Sequence, residues 1–460
     1  MAEGNLEGLN LIYDNSVESL LFEITKQNYK ASSNDAHVID NKDGCLCGHY
    51  PSEIYIPICL LENEEIDLNA LTNQLKRARL ARSRERFVVP AIIYKNKCIF
   101  RSATLSSGKE VLARKTKKGL TNVVEKLVKM SSWSGVFSGN LNRDNCESTH
   151  DESEDGLDFT SPSNGDRVSI LDALRSRDVK VLETYGINYI FDLMVEERLL
   201  RYGMYVASSE KAASREKYSG FRIVQLPYPG CEFFSCWSER GYNPDNLKYQ
   251  WDNDYNVCMK LPEETQSNPS HLMKGVIKAN GEKSERNWDL AELTKNYLRI
   301  VLNFLQFENG NFLVHCISGW DRTPLFISLI RLSLWADGAV NESLSDTEMA
   351  YFTLAYDWFL HGHQLCERIS KKENVLVFLF SFLNEISSEE YSIHRPVNES
   401  DRQKLDERKR RLRAVQDIFF NSFNNLLDFS VMEETTRKFV NSVRGAKVAL
   451  HNRLFSSGNV

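Results

Sequence analysis

The chain has 460 residues, 42% of them hydrophobic and 26% charged, with a formal net charge of −6 at pH 7. It is long enough for a large core and more than one domain, and its composition is that of a folded globular protein. An acidic balance excludes a general nucleic-acid binder, which needs an overall basic footprint.

The first residues, MAEGNLEGLNLIYDN, lack the basic start and apolar core of a signal peptide. The longest apolar run, VLVFLFSFL at 375–383, is too short for a bilayer, which needs about 20 residues. A cytoplasmic chain is expected. The ten cysteines are scattered, and none forms a C-x2-C pair. Neither a zinc site nor any other cofactor is expected.

Residues 1–130 read as a separate mixed α/β region. Within it, 86–100 (RFVVPAIIYKNKCIF) predicts a hairpin around Lys95-Asn96. Residues 131–165 are rich in Ser, Asn, Asp, Glu and Gly and read as a polar, acidic loop or linker. A catalytic domain follows over 166–394. Strands are expected at 188–196 and 221–229, and apolar spacing predicts a helix at 287–307. A short apolar strand at 312–315 leads into a helix at 324–338 that is apolar nearly all round and therefore central and buried. Strands alternating with helices give an α/β fold with a parallel sheet. Residues 394–404 read as a second linker, and the rest, 395–460, as C-terminal helices. Of these, 412–429 is expected to pack on the core.

The junction of the last strand and helix reads VHCISGWDRTP. Cys316 ends the strand, and Ile317, Ser318, Gly319, Trp320, Asp321 and Arg322 complete a loop that opens the helix. Such a loop aims N–H groups and the positive helix end at one point, which makes an anion site. The same field favours the Cys316 thiolate. Gly319 permits the backbone to wrap, Arg322 can fork two phosphate oxygens, and Thr323 can donate to the sulfur. Asp321 is placed to protonate a leaving oxygen. The parts make a phosphate cradle with a nucleophile at its floor. The bland alternative is a structural turn with a buried cysteine and a surface arginine.

The string HC-x5-R-T is the signature of cysteine-dependent phosphatases, and its filling G-W-D-R-T resembles the myotubularin family of phosphoinositide 3-phosphatases. The segments YGMYVASSEK (202–211), PYPGCEFF (227–234), CGHYP (47–51), RFVVP (86–90) and FRSATL (100–105) resemble one divergent branch of it. The resemblance implies a protein-tyrosine-phosphatase-like fold. It also implies removal of the 3-phosphate from phosphatidylinositol 3-phosphate and phosphatidylinositol 3,5-bisphosphate through a phosphocysteine. Cys316 would be the nucleophile, Arg322 the phosphate clamp and Asp321 the acid. Ile317, Ser318, Gly319, Trp320 and Thr323 would surround the substrate. Most family members read C-S-D-G-W-D-R, whereas this chain has Ile317 and Ser318 at the second and third places. Further on, Gln364 stands where the family has its first phosphate-binding arginine, and Arg368 remains at the second. The family's usual N-terminal lipid-binding domain is not evident in residues 1–130.

Outside the motif, Lys211, beside Ser209, is either a contact to an inositol phosphate or a solvated lysine. His315 either helps set the thiolate or serves the core. Basic blocks occur at 76–86, 112–120 and 408–413. At 437–455, Phe439, Val443, Ala446, Leu450 and Leu454 form an apolar stripe, with Arg444, Lys447 and Arg453 elsewhere. Such a helix either lies on an anionic membrane or docks on its own domain. The expected partners are phosphoinositide lipids at a membrane surface that the protein visits peripherally. A tyrosine or dual-specificity phosphatase and an inactive lipid-binding scaffold are the alternatives.

Overall fold

The computed structural model describes residues 36–57, 68–108, 110–111, 164–195, 198–201, 204–210, 216–251, 259–262, 285–394 and 399–427. A five-stranded sheet forms its centre. Its members are β3 (Val89–Tyr94), β4 (Lys97–Ala103), β6 (Ile187–Asp192), β9 (Arg222–Gln225) and β10 (Asn311–Cys316), in the order β3-β4-β10-β6-β9. β10 lies parallel to both β4 and β6, and β9 parallel to β6; only β3 runs antiparallel, on β4. A small ribbon pairs β1 (Ala36–Asp40) with β2 (Glu53–Pro57), and β5 (Leu105–Ser106), β8 (Met204–Ser208) and β7 (Arg198–Arg201) form a three-stranded antiparallel sheet.

β10 is buried on both faces, as a central parallel strand must be. Its alternation sends Phe312, Val314 and Cys316 to one face and Leu313 and His315 to the other. The first face packs on α4 (Leu290–Phe307) and α5 (Arg322–Ala336). The second packs on α1 (Leu68–Ala78) and α2 (Asn164–Thr184). α4 begins where Asp289 accepts the Glu292 N–H at 2.9 Å and buries Leu293, Tyr297, Ile300 and Phe304, the stripe its spacing predicts. Every residue of α5 is buried, so this helix is the centre of the helical layer. Burying a side chain such as Phe326 or Leu329 contributes roughly 1.5–3 kcal/mol. α3 (Phe233–Glu239), α6 (Asp346–Phe352), α7 (Leu365–Ser370), α8 (Val375–Ser381) and α9 (Glu399–Leu427) complete that layer.

Three expectations change. The hairpin turns at Lys95 as predicted, but its second strand pairs with β10, so the sheet crosses the boundary drawn at residue 130. Residues 399–404 belong to α9 rather than to a linker. The basic block at 408–413 is split between interior and surface: Arg408 is fully buried and donates to the Ser333, Ile386 and Tyr391 carbonyls and to Asp337, and Arg411 lies over Trp335, while Lys409, Arg410 and Arg413 are exposed. Leu412, Val415 and Phe419 bury the apolar face of α9, with Phe419 stacked 3.9 Å from Phe380. Among the described residues no helix is long and apolar enough to cross a membrane.

Candidate active site

The strand–loop–helix order places the loop at the carboxyl end of the parallel strands, where such sheets hold ligands. Cys316 ends β10 and Arg322 opens α5. The Gly319 N–H donates to the Cys316 sulfur at 3.2 Å, which closes the loop over the thiol. Gly319 has φ +71°, and a Cβ there would stand 2.8 Å from the Ser102 carbonyl oxygen. Both the dihedral and the space require glycine.

The Gly319 carbonyl is tied outward by two arginines, Arg86 Nη2 at 3.0 Å and Arg101 Nη2 at 3.3 Å. In a trans peptide the Trp320 N–H then points the opposite way, into the loop. Arg101 is held in turn by the Asp357 carbonyl at 2.7 Å. Burial, and then the neighbouring Arg86 guanidinium, push Arg101 down to about 10. Two adjacent buried cations favour an anion in the loop.

Burial alone would raise the Cys316 thiol. The Arg322 charge, the Thr323 hydroxyl and the N–H groups of Thr323 and Gly319 outweigh it and hold the thiol below its ordinary value. The Thr323 hydroxyl is buried without a well-formed hydrogen bond, which leaves the sulfur as its interaction. Arg322 is fixed by donating from Nη1 to the Leu193 (3.1 Å) and Tyr228 (3.0 Å) carbonyls, just beyond β6 and β9.

Asp321 is clamped. Arg368 Nε and Nη2 donate to its two oxygens at 3.0 and 2.9 Å, a fork on a carboxylate. His363 Nδ1 lies 3.2 Å from Asp321 Oδ1 and 3.1 Å from the Trp320 carbonyl, two acceptors that call for the proton on Nδ1. Burial would raise the Asp321 carboxyl, but His363 and Arg368 hold it down at about 2. Arg368 also donates to Glu373 at 2.7 Å, and Gln364 is exposed.

Behind the nucleophile lies a buried charge network. His315 Nε2 is 2.9 Å from Glu210 Oε2, and Glu210 also pairs with Arg82 at 2.5 Å. Arg82 forks Asp178 at 2.9 and 2.7 Å, and the Tyr218 hydroxyl donates to Asp178 at 2.8 Å. Burial would push His315 down, but Glu210 and Asp192 outweigh it and hold the imidazole above its ordinary value. Asp192, Glu210 and His315 bring three ligating groups within 4.8 Å of one another. A metal ion there would compete with Arg82 for Glu210, so the cluster reads as a charge network.

The structure thus brings together Cys316, Ile317, Ser318, Gly319, Trp320, Asp321, Arg322, Thr323 and Arg368, with Ile317, Ser318 and Trp320 half-exposed at the rim. Ser209 is buried beside Asp192 in the segment after β8. Lys211 and residues 437–455 lie outside the described residues. Sequence reasoning did not find Arg84, Arg86, Arg101, Glu210 or His363. The arginines read as surface charge in the sequence, and only the fold turns them to the loop.

A cysteine at the floor of a seven-residue loop, closed by an arginine at the mouth of a buried helix, defines a cysteine-dependent phosphatase fold. Residues 166–337 match the profile described as the tyrosine phosphatase family. The chain is 40% identical over 365 residues to the mouse (Mus musculus) phosphatidylinositol-3,5-bisphosphate 3-phosphatase MTMR14, covering 77% of this chain and 52% of the relative. The human (Homo sapiens) protein of the same name is also 40% identical, over 364 residues, 77% of this chain and 51% of its own. The chain spans about half the length of these curated relatives. It is thus similar over most of its length to the myotubularin-related phosphatase MTMR14.

Proposed function

We propose that this chain is a phosphoinositide 3-phosphatase acting on phosphatidylinositol 3-phosphate and phosphatidylinositol 3,5-bisphosphate. The observation that carries the reading is the Cys316 sulfur, its thiol held below its ordinary value beneath loop N–H groups and beside an anchored Arg322. The name carried by the mouse and human relatives supports the substrate class.

The Cys316 thiolate attacks phosphorus, and the bond to the inositol 3-oxygen breaks as Arg322 and the loop amides hold the phosphoryl oxygens. Asp321 gives the leaving oxygen its proton. In the free protein Asp321 is an ionised carboxylate under Arg368, so it takes up that proton from solvent water when the substrate phosphate draws Arg368 away. Asp321, again a carboxylate, then accepts a proton from water as that water displaces the thiolate from the phosphocysteine. Inorganic phosphate leaves.

Phosphate release is measured from phosphatidylinositol 3-, 4- and 5-phosphates, the 3,5-bisphosphate and a phosphotyrosine peptide, with Cys316→Ser as blank. Release confined to the 3-phosphorylated lipids is expected. Asp321→Asn should slow release from these lipids far more than from an aryl phosphate, whose phenolate leaves without a proton. Turnover of the peptide alone would move the protein to the tyrosine phosphatases, and silence throughout would make it a scaffold.

The membrane contact is proposed to run through residues 437–455, on their apolar stripe and basic flank. Liposome binding by a chain ending at residue 436 tests it.

A further inference from the structure

The turn that ends α7 gives Arg368 a second partner. Lys371 closes the helix, and Lys372 adopts left-handed backbone, φ 59°. The Lys372 and Glu373 N–H groups donate back to the Ile369 and Arg368 carbonyls at 3.0 and 2.8 Å. This doubly bonded helix stop folds Glu373 over the turn that carries Arg368. Glycine usually fills the left-handed place; a lysine there costs roughly 1–2 kcal/mol. An apolar side chain commonly fills the place of Glu373. Here a carboxylate does, and Arg368 Nη1 donates to Glu373 Oε2 at 2.7 Å, with the two side chains 13% and 14% exposed.

Arg368 is thus shared. Its Nε and Nη2 fork Asp321 while Nη1 meets Glu373, so one guanidinium lies between two carboxylates. His363 faces Asp321 from the other side at 3.2 Å. The Cys231 thiol lies near all three; burial, then the Asp321 charge, push it up, so it adds no charge at neutral pH. Glu367 and Lys371 stand further out and pair with each other.

An acid catalyst changes its charge twice in each turnover, so its surroundings must suit both states. With Asp321 ionised, Arg368 faces two negative charges. With Asp321 protonated, Arg368 and Glu373 remain as a neutral pair. Without Glu373 the balance reverses: the neutral pair is then Arg368 with ionised Asp321, and protonating Asp321 leaves a half-buried cation alone.

We infer that Glu373 is a positioning residue for the reaction: it keeps Arg368 paired while Asp321 takes up and gives back its proton. It acts through Arg368 rather than on the substrate. This rests on Asp321 as the acid of the proposed phosphatase activity.

The test is steady-state kinetics of the full chain on short-chain soluble phosphatidylinositol 3-phosphate, phenyl phosphate and p-nitrophenyl phosphate. The nitrophenolate leaves without a proton; the inositol oxygen needs one, and phenolate lies between them. Glu373→Gln keeps the size of the side chain and loses its charge. It should lower kcat on the lipid about tenfold, part of the roughly 10²–10⁴ that acid catalysis supplies, with KM little changed. Its turnover of p-nitrophenyl phosphate should stay within about twofold of the parent's, which also reports a folded chain. The limb of the kcat profile that falls as pH rises should move to lower pH, because Asp321 gives up its proton more readily. Glu373→Asp should recover part of the rate, and it carries the same comparison if Glu373→Gln does not fold. On an Arg368→Gln background, Glu373→Gln should add little. Equal slowing of the lipid and p-nitrophenyl phosphate in a folded variant, no slowing of either, an unmoved pH limb, or a full further loss on the Arg368→Gln background would overturn the proposal. If the parent does not hydrolyse the lipid, the aryl pair decides. Slowing of phenyl phosphate with p-nitrophenyl phosphate spared leaves Glu373 in its role while the substrate reading falls.

Discussion

Asp321 shows how far one residue's surroundings reach. Next to Arg322 in sequence it reads as an acid ready to donate. In the fold it is an ionised carboxylate, at about 2, under His363 and Arg368. Glu210 is also held at about 2, by His315 and Arg82 against its burial. Both carboxyls are lower in the folded chain than in the unfolded one. Their stabilisation is therefore complete above the ordinary carboxylate range and is lost as pH falls from about 4.5 toward 2. The melting temperature should fall across that window. Arg368→Met removes the fork on Asp321, so its carboxyl rises toward the ordinary value. That variant should melt lower at pH 7 and lose less on acidification, and the two curves should converge near pH 2. Parallel curves would mean that Arg368 does not set Asp321.

At the scale of the element, the loop is a strand end and a helix start joined by one left-handed glycine. Gly319→Ala places a Cβ 2.8 Å from the Ser102 carbonyl oxygen at φ +71°. The variant should lose about 1–3 kcal/mol of stability. It should also lose most turnover, because the Gly319 N–H leaves the sulfur. Denaturant melts and the alkylation rate of Cys316 at pH 7 check both; normal alkylation in a destabilised variant would confine the glycine to a folding role. This element was legible in the sequence. Its apolar strand, its glycine and the all-round apolar helix are local patterns, and each landed within a few residues of its place. What holds the loop was not legible. The Arg86 and Arg101 bonds to Gly319 span 233 and 218 residues. A block such as KRARLARSRER carries no periodicity that distinguishes a buried guanidinium from a solvated one. The clamp on Asp321 was hidden for the same reason: Arg368 lies 47 residues away.

The whole molecule is acidic on average and rich in arginine inside. Arg82, Arg86, Arg101, Arg322, Arg331 and Arg408 are all buried. Each is matched by carboxylates or carbonyls, as with the fork of Arg331 on Asp357 at 2.9 Å. The basic blocks at 76–86 and 408–413 are therefore split: Arg82, Arg86 and Arg408 serve the interior, while Lys76, Arg77, Lys409, Arg410 and Arg413 stay exposed. A chain ending at residue 436 should bind anionic liposomes several-fold more weakly and keep its turnover of a short-chain soluble lipid; equal liposome binding would remove 437–455 from the interface. The pairing of β4 with β10 also has a consequence in time. Ribosomes deliver Arg86 and Arg101 long before the loop they hold, and 233 residues at about 5–20 per second take roughly 12–47 s. Through that interval β4 waits with an unpaired edge and its cations without their carbonyl. The Cys316 loop is therefore completed only late in synthesis, when β10 slots in between β4 and β6.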